Sequence, residues 1–206
     1  MWNSQVIIML LEGIRDTLYM TLASTLFGYI IGLPMGIVLT VTDKDGIRPN
    51  AAVYKVLDVI SNLLRSIPFI ILLIVLIPFT RFVVGRSYGS TATIVPLTIA
   101  AAPYIARMVE SSLKEVDAGV IEAARSMGAS DFQIVTKVML VEARTSLIVG
   151  ATISLGTILG YSAMAGTVGG GGLGDIAIRY GYTRWQTDIM AVSYTHLRAH
   201  ETLSDL

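Results

Sequence analysis

The sequence predicts an all-α, polytopic membrane protein with four transmembrane helices present, and three observations carry that expectation. Apolar residues fill 53% of the 206 positions and charged residues only 15%, whereas soluble domains carry about 25% charge. The mean hydropathy is +0.68. The apolar residues are also bunched, and an uncharged run of about 18 or more reads as a membrane span.

Several function classes drop out at once. Fifteen basic residues balance fifteen acidic ones, so no surplus charge recruits nucleic acid through counterion release. The absence of cysteine removes disulfides, thiolate zinc sites and thiol catalysis, and two histidines, His196 and His200, are too few for a metal cluster. No metal and no cofactor is expected. The N-terminus lacks a basic region followed by a small-residue cleavage site, so the first span is expected to stay in place as a signal anchor.

The first uncharged run is Tyr19 to Val41, containing Gly28, Gly32, Pro34 and Gly36. Glycine lets neighbouring membrane helices approach closely. The preceding stretch, Trp2 to Leu11, is too short to cross and reads as an interfacial segment. A second span starts near Val56, passes Arg65, Ser66 and Pro68, and runs on to Arg81. Arg65 must lie at a membrane boundary or in a protein-lined cavity, because a charge at the bilayer centre costs at least about 2.5 kcal/mol. A third span covers Thr91 to Ala106, and a fourth Ser146 to Ala165.

Beyond them lie the glycines 169–172 and 174 and a polar stretch, Asp175 to Asp188. The run GGGGLG lacks the Lys and Ser/Thr of a phosphate-binding loop and reads as a flexible extracytoplasmic turn. With no nucleotide site in the chain, any ATP hydrolysis must come from another subunit. Ile189 to Val192 looks like the opening of a fifth span, but SYTHLRAHETLSDL follows, and its polar density cannot cross a bilayer. Residues 193–206 are expected to be a foreign, read-through tail, disordered or an unpacked helix extension, on a membrane domain of residues 1–192.

Orientation follows from Lys and Arg. Lys44, Arg48, Lys55 and Arg65, with Arg107, Lys114, Arg125, Lys137 and Arg144, make nine on one side against five on the other, Arg15, Arg81, Arg86, Arg179 and Arg184. The positive-inside rule then puts the N-terminus outside and the loop of about residues 107–144 in the cytoplasm. Asp117 is placed to cap a short helix over Ala118–Met127, with Gly128 as the left-handed residue that stops it. Ser130 and Gln133 form a capping box for a second helix. On the short helix Val120, Ala123, Ala124 and Met127 share one face, Glu122 and Arg125 another. Such a helix either packs back on its own membrane domain or enters a groove on a cytoplasmic partner. Glu110, Glu115, Asp117 and Glu122 lack a nearby nucleophile or histidine and read as solvated or partner-facing charges, so no catalytic residue is expected.

In the fourth span Tyr161, Ser162 and Met164 interrupt small and aliphatic residues. They offer hydrogen bonds and a polarizable surface to a passing substrate, or they simply pack between helices.

Glu122, Ala123 and Ala124, then Gly128, Val138 and Leu140 resemble the cytoplasmic motif of ABC importer permeases: Glu-Ala-Ala, three residues, Gly, nine residues, Ile-x-Leu-Pro. Val141 stands where that motif has Pro. The segments RSIPFIILL, IVPLTIAAAPYIARMVE and GYSAMAGTVGGGGLG are similar to the methionine-importer permeases. The resemblance implies a type I ABC importer permease fold with an expected five spans. It further implies a multi-pass subunit of the bacterial inner membrane, with Glu122, Ala123, Ala124 and Gly128 in a coupling helix that docks on an ATPase. Tyr161, Ser162 and Met164 would then border the substrate path. The implied partners are the ABC ATPase subunit, an extracytoplasmic substrate-binding protein, a second copy of the chain and the lipid bilayer. A permease for another amino acid, a membrane-embedded enzyme and a membrane scaffold are the alternatives.

Overall fold

The protein, described here by a computed structural model covering residues 4–202, is helical along nearly its whole length. Trp2 and the tail from Leu203 onward lie outside the described residues. The helices are α1 (Ser4–Thr42), α2 (Ala51–Ser66), α3 (Phe69–Val75), α4 (Ile77–Val84), α5 (Ser90–Lys114) and α6 (Ala118–Ser126). Then come α7 (residues 131–142), α8 (Arg144–Ala165), α9 (residues 172–182) and α10 (Thr187–Thr202).

Helices α1 and α5, with α8 continued to Val168, are each long and apolar enough to cross a membrane, and the bent pair of α2 and α3 makes a fourth candidate. The first two spans differ from the sequence reading. The interfacial segment and the first span form one helix of 39 residues, about 58 Å at 1.5 Å per residue. Charges at Glu12, Arg15 and Asp16 do not interrupt a backbone that satisfies its own hydrogen bonds. The second span is broken instead of continuous, because Pro68 has no N–H to give and disfavours helix at Ile67. The new helix, α3, starts at Phe69.

The contacts divide the chain into two compact units, one holding residues up to Phe27, Ile67–Ala101 and Ile153 onward, the other Gly28–Ser66 and Ala102–Thr152.

In the first unit, Leu10, Leu173, Ile176 and Ile189 form a buried cluster joined by Val192 and Leu197. A second cluster joins Met20, Phe69, Leu73, Leu97 and Ala165. Lipid tails are as apolar as these side chains, so close packing and not escape from water holds them together. The glycine run is not a flexible turn. A Cβ on Gly170 would lie 2.7 Å from the Ala165 carbonyl oxygen, and one on Gly174 would collide with the backbone of Ala163. Glycine is required there because helix α9 folds back against the end of α8. The polar stretch after it is helical through Tyr182.

The supposed tail also behaves differently from an unpacked extension. Helix α10 runs through residue 193 unbroken, Ser193 is fully buried and Leu197 joins the first cluster. Ile189, Ser193 and Leu197 recur at four-residue spacing, which continues one helical stripe across the change in composition.

In the second unit, α1 lies against α5 through Gly32 and Gly36. A Cβ at Gly32 would stand 2.6 Å from the Ala102 carbonyl oxygen, and one at Gly36 would meet Val109 at 2.7 Å. This small-xxx-small spacing lets two backbones approach closely. Helix α2 is turned inside out relative to a soluble helix. Val56, Val59, Ile60 and Leu63 are exposed while Ser61 is fully buried, as expected where the surrounding solvent is lipid.

Candidate functional site

The region of residues 107–144 forms locally as its caps dictate. Asp117 accepts a hydrogen bond from the Gly119 N–H at 2.7 Å and starts α6. Gly128 stops the chain at φ +83°, a conformation open to glycine at little cost. The Ser130 N–H donates to Gln133 Oε1 at 2.9 Å and the Gln133 N–H donates back to Ser130 Oγ at 3.4 Å. The next turns are π-helical over Ile134–Met139. With Val141 in place of Pro, the ladder continues: the Ala143 N–H reaches the Met139 carbonyl and the Leu147 N–H the Ala143 carbonyl, both at 2.9 Å.

Helix α6 does not pack as a single apolar face. Ala124 is buried, whereas Val120, Glu122 and Ala123 are exposed and Met127 is 82% exposed. Ala124 and half-buried Ile121 turn inward, and the rest of the supposed apolar face is presented outward. Beside it lies a cleft of about 680 Å³ lined by Asp43, Ile47, Lys114, Ile121, Glu122 and Arg125 among others.

Charges missed in the sequence meet nearby. The third span does not end at Ala106, and α5 runs on to Lys114. Glu110, expected to be solvated or partner-facing, is buried at 4% exposure. Its carboxylate takes Arg107 at 2.6 Å, Lys114 at 2.8 Å and the Tyr54 hydroxyl at 3.2 Å. Arg107 also pairs with Asp58, and Lys114 with Asp43 at 2.5 Å. The Lys114 hydrogen bond, helped by the Lys44 N–H and partly opposed by burial, holds the Asp43 carboxyl below its usual range. The spacing of Arg107, Glu110 and Lys114 at three and four residues was a usable signal for the part on α5. Nothing local pointed to Asp43, Tyr54 or Asp58.

In the first unit, Tyr161 stacks on Phe69 with ring centroids 4.7 Å apart and planes 6° from parallel. Ser162 is buried and its hydroxyl donates to the Leu159 carbonyl at 2.7 Å, so it is spent inside its own helix. Met164 is 46% exposed. The three residues therefore have three different environments, and only Met164 presents a free apolar surface.

A chain of membrane-crossing helices that carries an exposed, capped helix between two of them is built as a transport component, and the comparisons with known proteins agree. The chain belongs to the family of binding-protein-dependent transport system inner membrane components, whose model matches residues 18–194. It has the type I ABC importer permease fold and is a multi-pass inner-membrane permease subunit.

Among individual proteins, it is 48% identical to the "Probable D-methionine transport system permease protein MetI" of Vibrio cholerae over 92% of this chain and 84% of that one. It is 54% identical to the D-methionine transport system permease protein MetI of Escherichia coli K12, over 77% and 73% of the two chains. A solved structure of inward facing conformations of the MetNI methionine ABC transporter matches with TM-score 0.97 at 48% identity, over 99% of this chain and 94% of that chain. An amino acid ABC transporter solved with histidines, at 20% identity and TM-score 0.75, shares the fold.

Proposed function

We propose that this chain is the permease subunit of an ATP-driven importer of methionine, and that α6 is where a separate ATPase subunit docks. The observation that carries the docking assignment is the outward presentation of Glu122, Ala123 and Met127 on a helix fixed at both ends by Asp117 and Gly128. A helix that served only its own domain would bury that face. The names of the relatives support methionine as cargo, and the MetNI complex supports an ATPase partner. Permease chains of this family work with a binding protein, and three or four spans enclose a path poorly alone, so a two-fold pair of copies is the expected assembly.

The N-terminus is assigned to the outside from the nine-to-five distribution of Lys and Arg. Met164 and Tyr161 are assigned to the substrate path, with Ser162 supporting the helix between them. Residues 193–206 are assigned as a tail foreign in origin, supported by the shift to polar composition and by a family match that stops at 194, although Ser193 and Leu197 continue the packed stripe of Ile189. A native transcript reading through SYTHLRAHETLSDL would refute that last assignment.

The docking assignment is tested by co-purification. Gly128→Val forces a β-branched residue toward positive φ, where such residues are outliers. This variant is expected to accumulate in the membrane but lose the ATPase on purification. Normal co-purification together with normal transport would defeat the assignment.

A further inference from the structure

Helix α6 and the end of α5 are tied to the same short stretch that follows α1. Arg125 Nη2 donates to the Ile47 carbonyl at 2.9 Å. At the start of that stretch, Asp43 Oδ2 lies 2.5 Å from Nζ of Lys114, the last residue of α5. Lys114 is held in turn by Glu110, Glu110 by Arg107, and Arg107 by Asp58 on α2. A separate pair, Arg48 with Asp131 at 3.5 Å, has its arginine 82% exposed, and exposed pairs contribute little. The Asp43 and Glu110 side chains are 17% and 5% exposed, so their bonds are screened far less.

The open cleft beside α6 gives these bonds their importance. Between residues 43–47 and α6 there is a space of about 680 Å³ in place of a packed apolar contact. One hydrogen bond, from Arg125 to the Ile47 carbonyl, crosses that space, and the Asp43–Lys114 bridge ties the same stretch to α5. Such links are either made or broken, which is the kind of discrete element through which one site biases another.

We propose that Asp43, Lys114 and Arg125 are positioning residues for coupling, making residues 43–47 a second lever through which a displacement of α6 reaches the ends of α1 and α5. The inference rests on the reading of α6 as the docking helix. Arg125 passes the movement to the Ile47 backbone, and the Asp43–Lys114 bridge passes it to α5 and, through Glu110 and Arg107, to α2.

The native chain has no cysteine, so a Asp43→Cys/Lys114→Cys pair gives a controllable replacement for the bridge. The complete transporter, chain with ATPase and binding protein, is reconstituted in liposomes, and methionine transported per ATP hydrolysed is measured. The double variant is expected to keep the ATPase and its hydrolysis while transport per ATP falls about fivefold or more, the low end of typical coupling free energies. A short, reducible bis-methanethiosulfonate cross-linker then restores the ratio, and reductant removes the restoration. Arg125→Ala is expected to lower the ratio likewise, without rescue by the cross-linker.

An unchanged ratio in the un-cross-linked double variant overturns the lever. So does a parallel loss of hydrolysis and transport that the cross-link fails to mend, since that marks a purely structural bridge. Co-purification of Gly128→Val reports separately on docking. Retention of the ATPase with normal transport there sinks the docking reading, whereas loss of the ATPase beside a normally coupled double-cysteine variant sinks only the lever.

Discussion

The Thr17 hydroxyl of α1 accepts a hydrogen bond from the Leu173 N–H at 2.9 Å, so one helix caps another across 156 positions of sequence. Residue Gly171 precedes α9 and has no side chain to cap it. Thr17 supplies the oxygen that an ordinary N-cap residue would carry. Both partners are buried. Thr17→Val should therefore strand a buried donor at a cost of about 1–3 kcal/mol, and Thr17→Ser should not. Thermal unfolding of the purified chain in detergent checks this. Equal midpoints for the valine variant and the parent would contradict the trans-capping account.

Gly36 should tolerate no side chain. Its missing Cβ faces the Ala106 carbonyl oxygen at 2.5 Å and Val109 at 2.7 Å, both belonging to the well-packed α5. Gly36→Val is expected to push α1 from α5 and sharply lower the yield of monodisperse protein, with Gly36→Ala intermediate. Size-exclusion profiles at matched expression provide the reading. A valine variant as stable as the parent would mean that the close approach is not needed.

These two contacts mark what the sequence could and could not disclose. The caps Asp117 and Ser130, the stop at Gly128 and the close packing of Gly32 and Gly36 follow from local residue chemistry, and each stands in the structure where local rules put it. The span boundaries were less legible. An uncharged run marks only the apolar middle of a helix, so the spans Tyr19–Val41 and Thr91–Ala106 fall short of α1 and α5, which continue through Glu12 and Arg107.

Partners distant in sequence were not legible at all. Glu110 looked solvated because a carboxylate in a polar segment usually is, and only the fold brings Arg107, Lys114 and Tyr54 around it. The glycine run 169–172 is the converse case. Flexibility is what a glycine run suggests, yet Gly170 is demanded by a backbone in contact and Gly169, Gly171 and Gly172 by their positive φ. At the candidate site the caps of α6 were readable from spacing and its proposed docking role only from a family resemblance, whereas the burial of Ser162 and the exposure of Met164 depend on neighbours that no local pattern names.

The Asp43–Lys114 bridge should persist into acid. Asp43 titrates below its ordinary value of 3.8, chiefly because Lys114 donates to it. A carboxyl depressed on folding contributes stability that is fully present above its unfolded pKa and is lost as pH falls through the lower, folded value. The bridge is therefore intact at neutral and mildly acidic pH and opens only below about 3.8. Carboxyl-carbon NMR of labelled Asp43 should show a midpoint below 3.8, moving up toward it in Lys114→Met. A parent midpoint at or above that value would remove the bridge from the account.

Met164 and Tyr161 should separate in their effects. Met164 offers an exposed, polarizable side chain, while Tyr161 is committed to its stack on Phe69. Met164→Ala is expected to change uptake rate or substrate preference with assembly preserved. Tyr161→Ala removes a stack of the kind that contributes about 0.5–1.5 kcal/mol beyond area burial, so it should also lower thermal stability. Uptake and melting measured side by side distinguish the two. Matching losses of assembly and uptake in Met164→Ala would assign it to packing alone.

The proposed role of this chain is to carry methionine through the membrane at the expense of ATP hydrolysed by a partner. Uptake of labelled methionine into cells expressing the chain with its ATPase and binding protein tests it most directly. The expected result is saturable, energy-dependent uptake that unlabelled methionine suppresses, that polar amino acids leave unchanged, and that Gly128→Val abolishes. Absence of methionine uptake beside robust uptake of another amino acid, or uptake indifferent to Gly128→Val, would contradict it.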